Sequence, residues 1–527
     1  MNTFIKGLQK EAAKTTTENG DITYGTTLNH NLDFFGSAGS LRRDLSRVAD
    51  LFEDALGEAK VTAILNMFYL RDVRGGVGER DAFRTAYKTF AKKYPEDAVK
   101  LIPAVGDYGR WDDVLCLLDV IPGKTKEIAG VIQAQLAEDV TNMMAGKPVS
   151  LCAKWMPSAN TSSEKTRKYA RILIKAMGMS EKEYRKMLSA LRGYIDILER
   201  HMSAKDYNFD YSKLPSKALM KHIKAFMRND KERYENYKKA LEKGATKAKT
   251  AAVYPYEILK MSDKALRESM WRDIERHPGD TKTIVVRDGS GSMGWLGANY
   301  YGSSVQPIEV ATSLAILFSE QLTGDFKDKF ISFSRNPQLV DLSHKTTLEE
   351  KIRKCAKYDE CENTDIMKVY KLILKVEKNC DPKDWIDRIV IISDMQFDHG
   401  TTDVPTYEEA KEMFDEAGIP LPRIVYWNVA SRVDFPSSDL ENVRFVSGLS
   451  QYTIEAILND NAADAVTFMK DTIAKYSPVL KLLEGVDEEA TGDASGDGLT
   501  PDVTKDGAKE EESGRKRRVF RRGVRPR

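Results

Sequence analysis

Hydrophobic and polar positions along the chain change their period near residue 280. From about 46 to 275 apolar residues recur three and four apart. Val48, Leu51, Phe52 and Leu56 make one stripe, and Val61, Ile64, Leu65 and Phe68 make the next. This is the period of amphipathic helices. It continues through 82–92, 111–118, 128–144, 166–177, 181–201 and 217–243, with strand patterns nearly absent. The connections are short and carry Gly or Pro, as at Arg74-Gly75-Gly76, Tyr94-Pro95, Ile121-Pro122-Gly123 and Leu214-Pro215. A long run of short-looped helix pairs points to an α-solenoid of the HEAT or armadillo type. No repeat is regular enough to fix a period, so a compact irregular helical domain stays as the alternative.

After about residue 280, apolar β-rich runs alternate with helices. Strands are expected at 283–287, 330–333, 388–393, 423–429 and 443–446. Helices are expected at 308–322, 348–357, 366–376, 407–417 and 462–476. Fully apolar strands alternating with helices imply a parallel sheet covered on both faces. The segment 280–480 thus reads as a Rossmann-like α/β domain, with ligands at the carboxyl ends of its strands. Residues 1–45 are polar and rich in Gly, Thr and Asn around one aromatic pair, Phe34-Phe35. They read as an extended arm docking on the domain that follows. From 486 to 527 the chain is acidic and then basic, with eight Lys or Arg between Arg515 and Arg527. Neither block can bury a core, so a disordered tail is expected. Its basic end suits nucleic acid or an acidic surface, and a merely solubilising tail is an equal alternative.

Composition adds little to this outline. The chain has 527 residues, is 41% hydrophobic and 31% charged, and has a net charge of +1 that averages over uneven segments. The first residues lack the apolar core of a signal peptide. No run approaches the roughly eighteen apolar residues of a membrane span. A cytoplasmic, monomeric protein without a membrane partner is expected. The five cysteines are scattered and form no CxxC. Cys355 and Cys361 are near enough to share a metal, but idle thiols are the stronger reading. No HExxH, GxSxG or GxxxxGK[ST] occurs, which argues against a zinc peptidase, a serine hydrolase and a P-loop motor.

The strongest chemical signal is Asp288-Gly289-Ser290-Gly291-Ser292, directly after the strand TIVVR. Three side-chain oxygens at alternate positions of a turn can converge on one point. The glycines between them let the backbone bend tightly. Carboxylate and hydroxyl oxygens are hard ligands, suited to Mg²⁺ first and to Mn²⁺ or Ca²⁺. Thr364-Asp365 opens a helix after a polar loop, and Asp394 ends the apolar strand IVIISD. Each brings an oxygen to the same edge of the sheet. Asp398 in SDMQFD is placed to support that loop, or is an ordinary loop acid.

This set resembles the metal-ion-dependent adhesion site of von Willebrand A domains. The resemblance implies that Ser290, Ser292 and Thr364 ligate the ion directly or nearly so. Asp288 and Asp394 would hold it through water or directly. It also implies an open position for an acidic oxygen of a partner. No nucleophile or general base is arranged there, so the protein is not expected to be an enzyme.

Further stretches carry a second resemblance: FYLRDVRGGVGERDAFR at 68–84, GDYGRWDDVL at 106–115, LCAKWMPS at 151–158, YSKLPSKALMKHIKAFMRND at 211–230, SDMQFD at 393–398, RIVYWNV at 423–429 and FVSGLS at 445–450. They resemble the Ro-like proteins with a TROVE module, in their uncharacterised plant, bacterial and viral branch. The resemblance covers roughly residues 30–475. It implies a ring of HEAT-like repeats closed by the A domain, and a ribonucleoprotein that binds small noncoding or misfolded RNA. A protein adaptor that uses the metal site to bind a partner's carboxylate is the alternative.

The helical part offers surfaces for RNA. Residues 213–249 hold twelve Lys or Arg against four acids. Lys217, Lys221, Lys224 and Arg228 fall on one helix face, which suits phosphate contacts without sequence readout. Tyr234 and Tyr237 are candidates for base stacking. A solvated helix face is an equal reading. Lys165, Arg167, Lys168 and Arg171 form a smaller basic group. Arg71, Asp72, Arg74 and Arg80 read as a salt-bridged turn, Trp111 and Asp112 as a packed, capped helix start. Trp155 and Trp427 read as core rather than ligand platforms.

Overall fold

In the computed structural model, which describes residues 2–279, 281–294, 305–360, 362–400, 404–430 and 434–483, the helical stripes become packed faces. Val48, Leu51, Phe52, Ala55 and Leu56 are the buried residues of helix Leu45–Glu58. Their spacing puts them on one side. Asp44 caps the helix by accepting from the Arg47 N–H at 3.1 Å. Helices Lys60–Arg71 and Arg80–Lys93 follow, and Phe52, Phe68 and Phe83 are buried together in the core. Later come Thr125–Met144, Glu164–Ala176, Glu181–Ile195, Ser216–Asn229 and Lys231–Glu242. Among the described residues no helix is long and apolar enough to cross a membrane.

The RDVRGGVGER turn is held by charge. Arg71 is buried and donates to Asp113 at 2.8 Å. Arg84 donates to the other oxygen of Asp113 at 2.6 Å. Asp72 accepts from the Tyr476 hydroxyl at 3.1 Å, which ties this turn to the last described helix, Ala474–Leu483. Arg80 is exposed and, among the described residues, pairs only with its neighbour Asp81. At the next turn, Trp111 is buried as expected. The reciprocal cap, however, is made by Asp113, whose carboxylate accepts from the Arg110 N–H at 3.0 Å. Asp112 instead pairs with Arg84 and Arg110.

Among the described residues the strands are a short hairpin, β1 (Lys14–Thr16) and β2 (Ile22–Tyr24), and six more in one sheet. These are β3 (Thr283–Asp288), β4 (Lys329–Phe333), β5 (Gln338–Asp341), β6 (Arg388–Ser393), β7 (Arg423–Asn428) and β8 (Val443–Ser447). The order is β5-β4-β3-β6-β7-β8. Chain direction therefore reverses its march between β3 and β6, the crevice where α/β sheets bind ligands. The sheet is mixed rather than all parallel, because β5 runs antiparallel to β4 at the edge. Its signal is weak in the sequence: it is four residues long, with Leu339 exposed and only Val340 buried. Helix Pro307–Gln321 is buried on nearly every side, lying between the sheet and helix Pro255–Leu259.

The first forty-five residues are not an extended arm. They form helix Thr3–Ala12, the β1–β2 hairpin and the buried helix His30–Ser37. They dock on the sheet far along the chain rather than only on the next helices. Gly39 N–H donates to Ser447 Oγ at 3.0 Å, and Tyr24 exchanges backbone bonds with Phe435 at 2.9 Å. The helical part is also bound to the sheet part by ion pairs: Lys260–Glu309 and Arg276–Glu320, both at 2.8 Å. The expected tail at 486–527 and the Cys355–Cys361 pair fall on residues outside those described, the latter through Cys361.

Candidate functional site

Strand β3 puts Arg287 and Asp288 on opposite faces of the sheet. Both are fully buried. The Arg287 guanidinium is consumed on its own side by Asp359 at 2.7 Å, Ser332 at 2.8 Å and Thr312 at 2.9 Å. It therefore does not neutralise its neighbour in sequence. Asp288 Oδ1 accepts from the Ser290 N–H at 2.8 Å, which folds the chain back over the strand end. Its other oxygen accepts from Ser393 Oγ at 2.5 Å, across from β6. Ser393 was not singled out by the sequence pattern. Only its place just before Asp394 in SDMQFD marks it.

The hydroxyls of Ser290 and Ser292 lie 3.2 Å apart. Ser290 is buried and Ser292 is exposed. Among the glycines of the motif, the constraint at Gly289 is space rather than backbone twist. A Cβ there would lie 3.1 Å from the Tyr358 carbonyl oxygen. Left-handed backbone is reached only afterwards, at Gly294 with φ 84°.

Thr364 and Asp394 reach the same edge. Thr364 is buried in the turn before helix Ile366–Glu377. Its carbonyl accepts from the Asp398 N–H at 3.0 Å, so residue 398 does support the threonine loop, through its backbone. The Glu362 carbonyl in that loop accepts from the Gly291 N–H at 3.2 Å. Asp394 is buried directly after β6. The next residue, Met395, has φ 63°, a conformation few non-glycine residues adopt. The N-terminal hairpin holds this loop in place. Glu18 N–H donates to Gln396 Oε1, Asn19 Nδ2 to the Gln396 carbonyl and Thr17 Oγ1 to the Phe397 carbonyl, each at 2.7 Å.

Electrostatics follow from this crowding. Burial pushes the Asp288 carboxyl up to about 7, and the charge of Asp394 adds to the rise. Two buried carboxylates and three hydroxyls share one edge, while the adjacent guanidinium is spent elsewhere. That donor set is all hard oxygen with an excess of negative charge, which fits a divalent cation. Among the described residues no group of three or more His, Cys, Asp or Glu side chains gathers to hold a metal. A cation at Asp288 would thus depend on the hydroxyls as much as on the carboxylates.

The other candidate surface lies on helix Ser216–Asn229. Lys217, Lys221, Lys224 and Arg228 are all exposed, while Leu219 and Phe226 face the core. Lys217 pairs with Glu257 at 3.3 Å and sits over the Tyr254 ring. The other three form no ion pair among the described residues. Tyr234 and Tyr237 are not available to bases. They are buried and pack with Tyr211, ring centroids 5.6 Å away in both cases. In the smaller basic group, Lys165 and Arg171 are exposed and Lys168 pairs with Asp119 at 3.4 Å. Arg167 donates to the carbonyls of Thr161 and Ser162. Trp427 is core, its indole N–H donating to the Gly448 carbonyl at 2.8 Å. Trp155 is only half-buried and forms part of a cavity wall.

Residues 125–287 match a family described as a domain of unknown function (DUF2828), and residues 282–487 match a second such family (DUF7788). The two matches meet where β3 begins. An uncharacterised protein of Acanthamoeba polyphaga mimivirus is 29% identical over 525 residues, with 89% of each chain covered. Among solved structures, the Ro (RSR) protein of Deinococcus radiodurans is similar over 82% of this chain and 92% of its own, at 12% identity and a TM-score of 0.38.

Proposed function

We propose that this chain is a non-enzymatic, Ro-like RNA-binding protein that carries a divalent cation on a von Willebrand A-type sheet. The observation that carries the RNA half is the ridge on helix Ser216–Asn229. Three exposed cations there, Lys221, Lys224 and Arg228, are spent on no carboxylate of the described chain. Such a row tracks phosphates and binds more weakly as salt rises. The motif resemblance supplies the kind of RNA, small noncoding or misfolded, and the HEAT-like reading of the helical part. In the cation half, Ser290, Ser292 and Thr364 supply hydroxyls, and Asp288 and Asp394 supply the charge. When bound, Mg²⁺, or Mn²⁺ or Ca²⁺ in its place, offers a coordination position to an incoming oxygen.

RNA should co-purify with the full chain and raise its absorbance at nucleic-acid wavelengths. Filter binding of the released RNA should weaken steeply with salt. A preparation free of RNA that also binds none at low salt overturns this reading.

One observation favours a second reading, a protein adaptor. Ser292 is exposed while Ser290, Thr364 and both carboxylates are buried. The strand-end site therefore reaches solvent on its serine side, where a partner's carboxylate would complete the coordination.

A further inference from the structure

The helical part contains a cleft of about 580 Å³ that belongs to neither surface described above. It lies between helix Arg80–Lys93, the short helix Cys152–Trp155 and the first turn of helix Glu164–Ala176. Its size is that of a small-molecule site. Its charge is more telling. Two of the three carboxylates that line it are engaged, Asp112 by Arg84 and Arg110 and Asp119 by Tyr169 and Lys168, while Glu199 is exposed at its rim and forms no ion pair among the described residues. Several of its cations are not engaged. Lys88, Lys154 and Lys165 line the cleft and form no ion pair among the described residues.

Arg192 adds a fixed charge to the same wall. Its guanidinium donates to the carbonyls of Ala153 and Met156, at 2.9 and 2.7 Å, and to Ser158 Oγ at 2.9 Å. These partners orient it without cancelling its charge. Burial pulls the guanidinium below its ordinary range. The positive end of helix Glu164–Ala176 turns the same way, with Ser163 and Thr166 in the lining. An aromatic wall completes the cleft. Trp155 is half-buried, with the Arg110 guanidinium stacked 3.8 Å from its ring centroid.

We propose that this cleft binds a nucleotide 5′-phosphate, with the phosphate among Lys88, Lys154, Lys165 and Arg192 and the base against Trp155. A planar base and a dianionic group on one small ligand match what the cleft offers: an aromatic ring and unneutralised cations. The chemistry is shared by a free mononucleotide and by the phosphorylated end of a single strand. The site is independent of the ridge on Ser216–Asn229 and of the strand-end carboxylates.

Calorimetric titration of the full chain at low ionic strength tests it, with AMP, adenosine, inorganic phosphate, and a trinucleotide with or without a 5′-phosphate as probes. AMP should bind saturably and adenosine should not. Lys88→Gln with Lys154→Gln should weaken AMP about tenfold or more. Neither lysine forms an ion pair among the described residues, and Lys154 lies over the Trp155 ring, 5.3 Å from its centroid. Lys165→Gln should weaken it less, and the exposed Lys186→Gln should leave it unchanged. If AMP fails but the 5′-phosphorylated trinucleotide binds with the same sensitivity to the lysine variants, the site stands and its source is a strand end. No binding by either, binding indifferent to the lysine pair, or phosphate alone binding as tightly as AMP overturns the proposal.

Discussion

The strand-end cluster at Asp288 and the basic ridge at Lys217–Arg228 are built in opposite ways. The ridge comes from one helix. Its four cations are neighbours because they are three and four apart on a single turn-by-turn face. Nothing beyond helix formation is needed to align them. The Asp288 cluster draws on β3, on the loop before helix Ile366–Glu377 and on the loop after β6. It is further steadied by a hairpin from the far N-terminus. One surface is exposed and self-sufficient. The other is buried, charged and dependent on contacts across hundreds of residues. The difference teaches where mutations will be felt: beneath the ridge rather than on it, but throughout the cluster.

The largest expected effect lies beneath the ridge. Phe226 is fully buried, packed against Phe209, Tyr211 and Tyr234. Phe226→Ala should cost about 3–5 kcal/mol in chemical denaturation. A loss under about 1 kcal/mol would show that the helix does not rely on that core. Next comes the cluster itself. Asp288→Asn should lower Mn²⁺ or Mg²⁺ affinity by about 100-fold or more, read by calorimetry. The fold should survive, because the substitution relieves two crowded carboxylates. Unchanged metal uptake would remove the assignment.

A smaller effect separates the two surfaces cleanly. Lys221→Gln, Lys224→Gln and Arg228→Gln together should weaken RNA about tenfold and lower the salt slope by roughly three. Stability should stay within about 0.5 kcal/mol. Metal affinity should not move, and a shift in it would mean the surfaces are coupled. The smallest effect tests the hairpin. Thr17→Val removes the acceptor of the Asp21 N–H and deletes the bond to the Phe397 carbonyl, costing about 1 kcal/mol in all. Because that bond steadies the loop after Asp394, metal affinity should fall with it. Stability loss with metal affinity intact would limit Thr17 to a structural role.

Much of the site was legible because its donors come in short runs. DGSGS follows an apolar strand, and SD ends another. Strand periodicity alone puts both at carboxyl ends. The supporting residues were not legible. Ser393 and Gln396 look like ordinary polar loop positions until the fold sets them against Asp288 and the hairpin. Tyr234 and Tyr237 were misjudged for the opposite reason. Their basic neighbours suggested an exposed helix, yet the ring of Tyr211, over twenty residues earlier, covers them.

The sequence by itself determined the change from helical to strand–helix grammar near residue 280, most strand positions, the ridge, and the candidate oxygens at 288, 290, 292, 364 and 394. These are properties of local period and residue type, and each can be read within one element. Only the tertiary structure decided the strand order that puts the crevice between β3 and β6. It also decided the antiparallel edge, the docking of the first forty-five residues on the sheet, and the spending of Arg287 on Asp359. These depend on which distant segments meet. A strand of four residues, a hairpin with one buried face or an arginine inside a strand gains its meaning from a partner that no local pattern names.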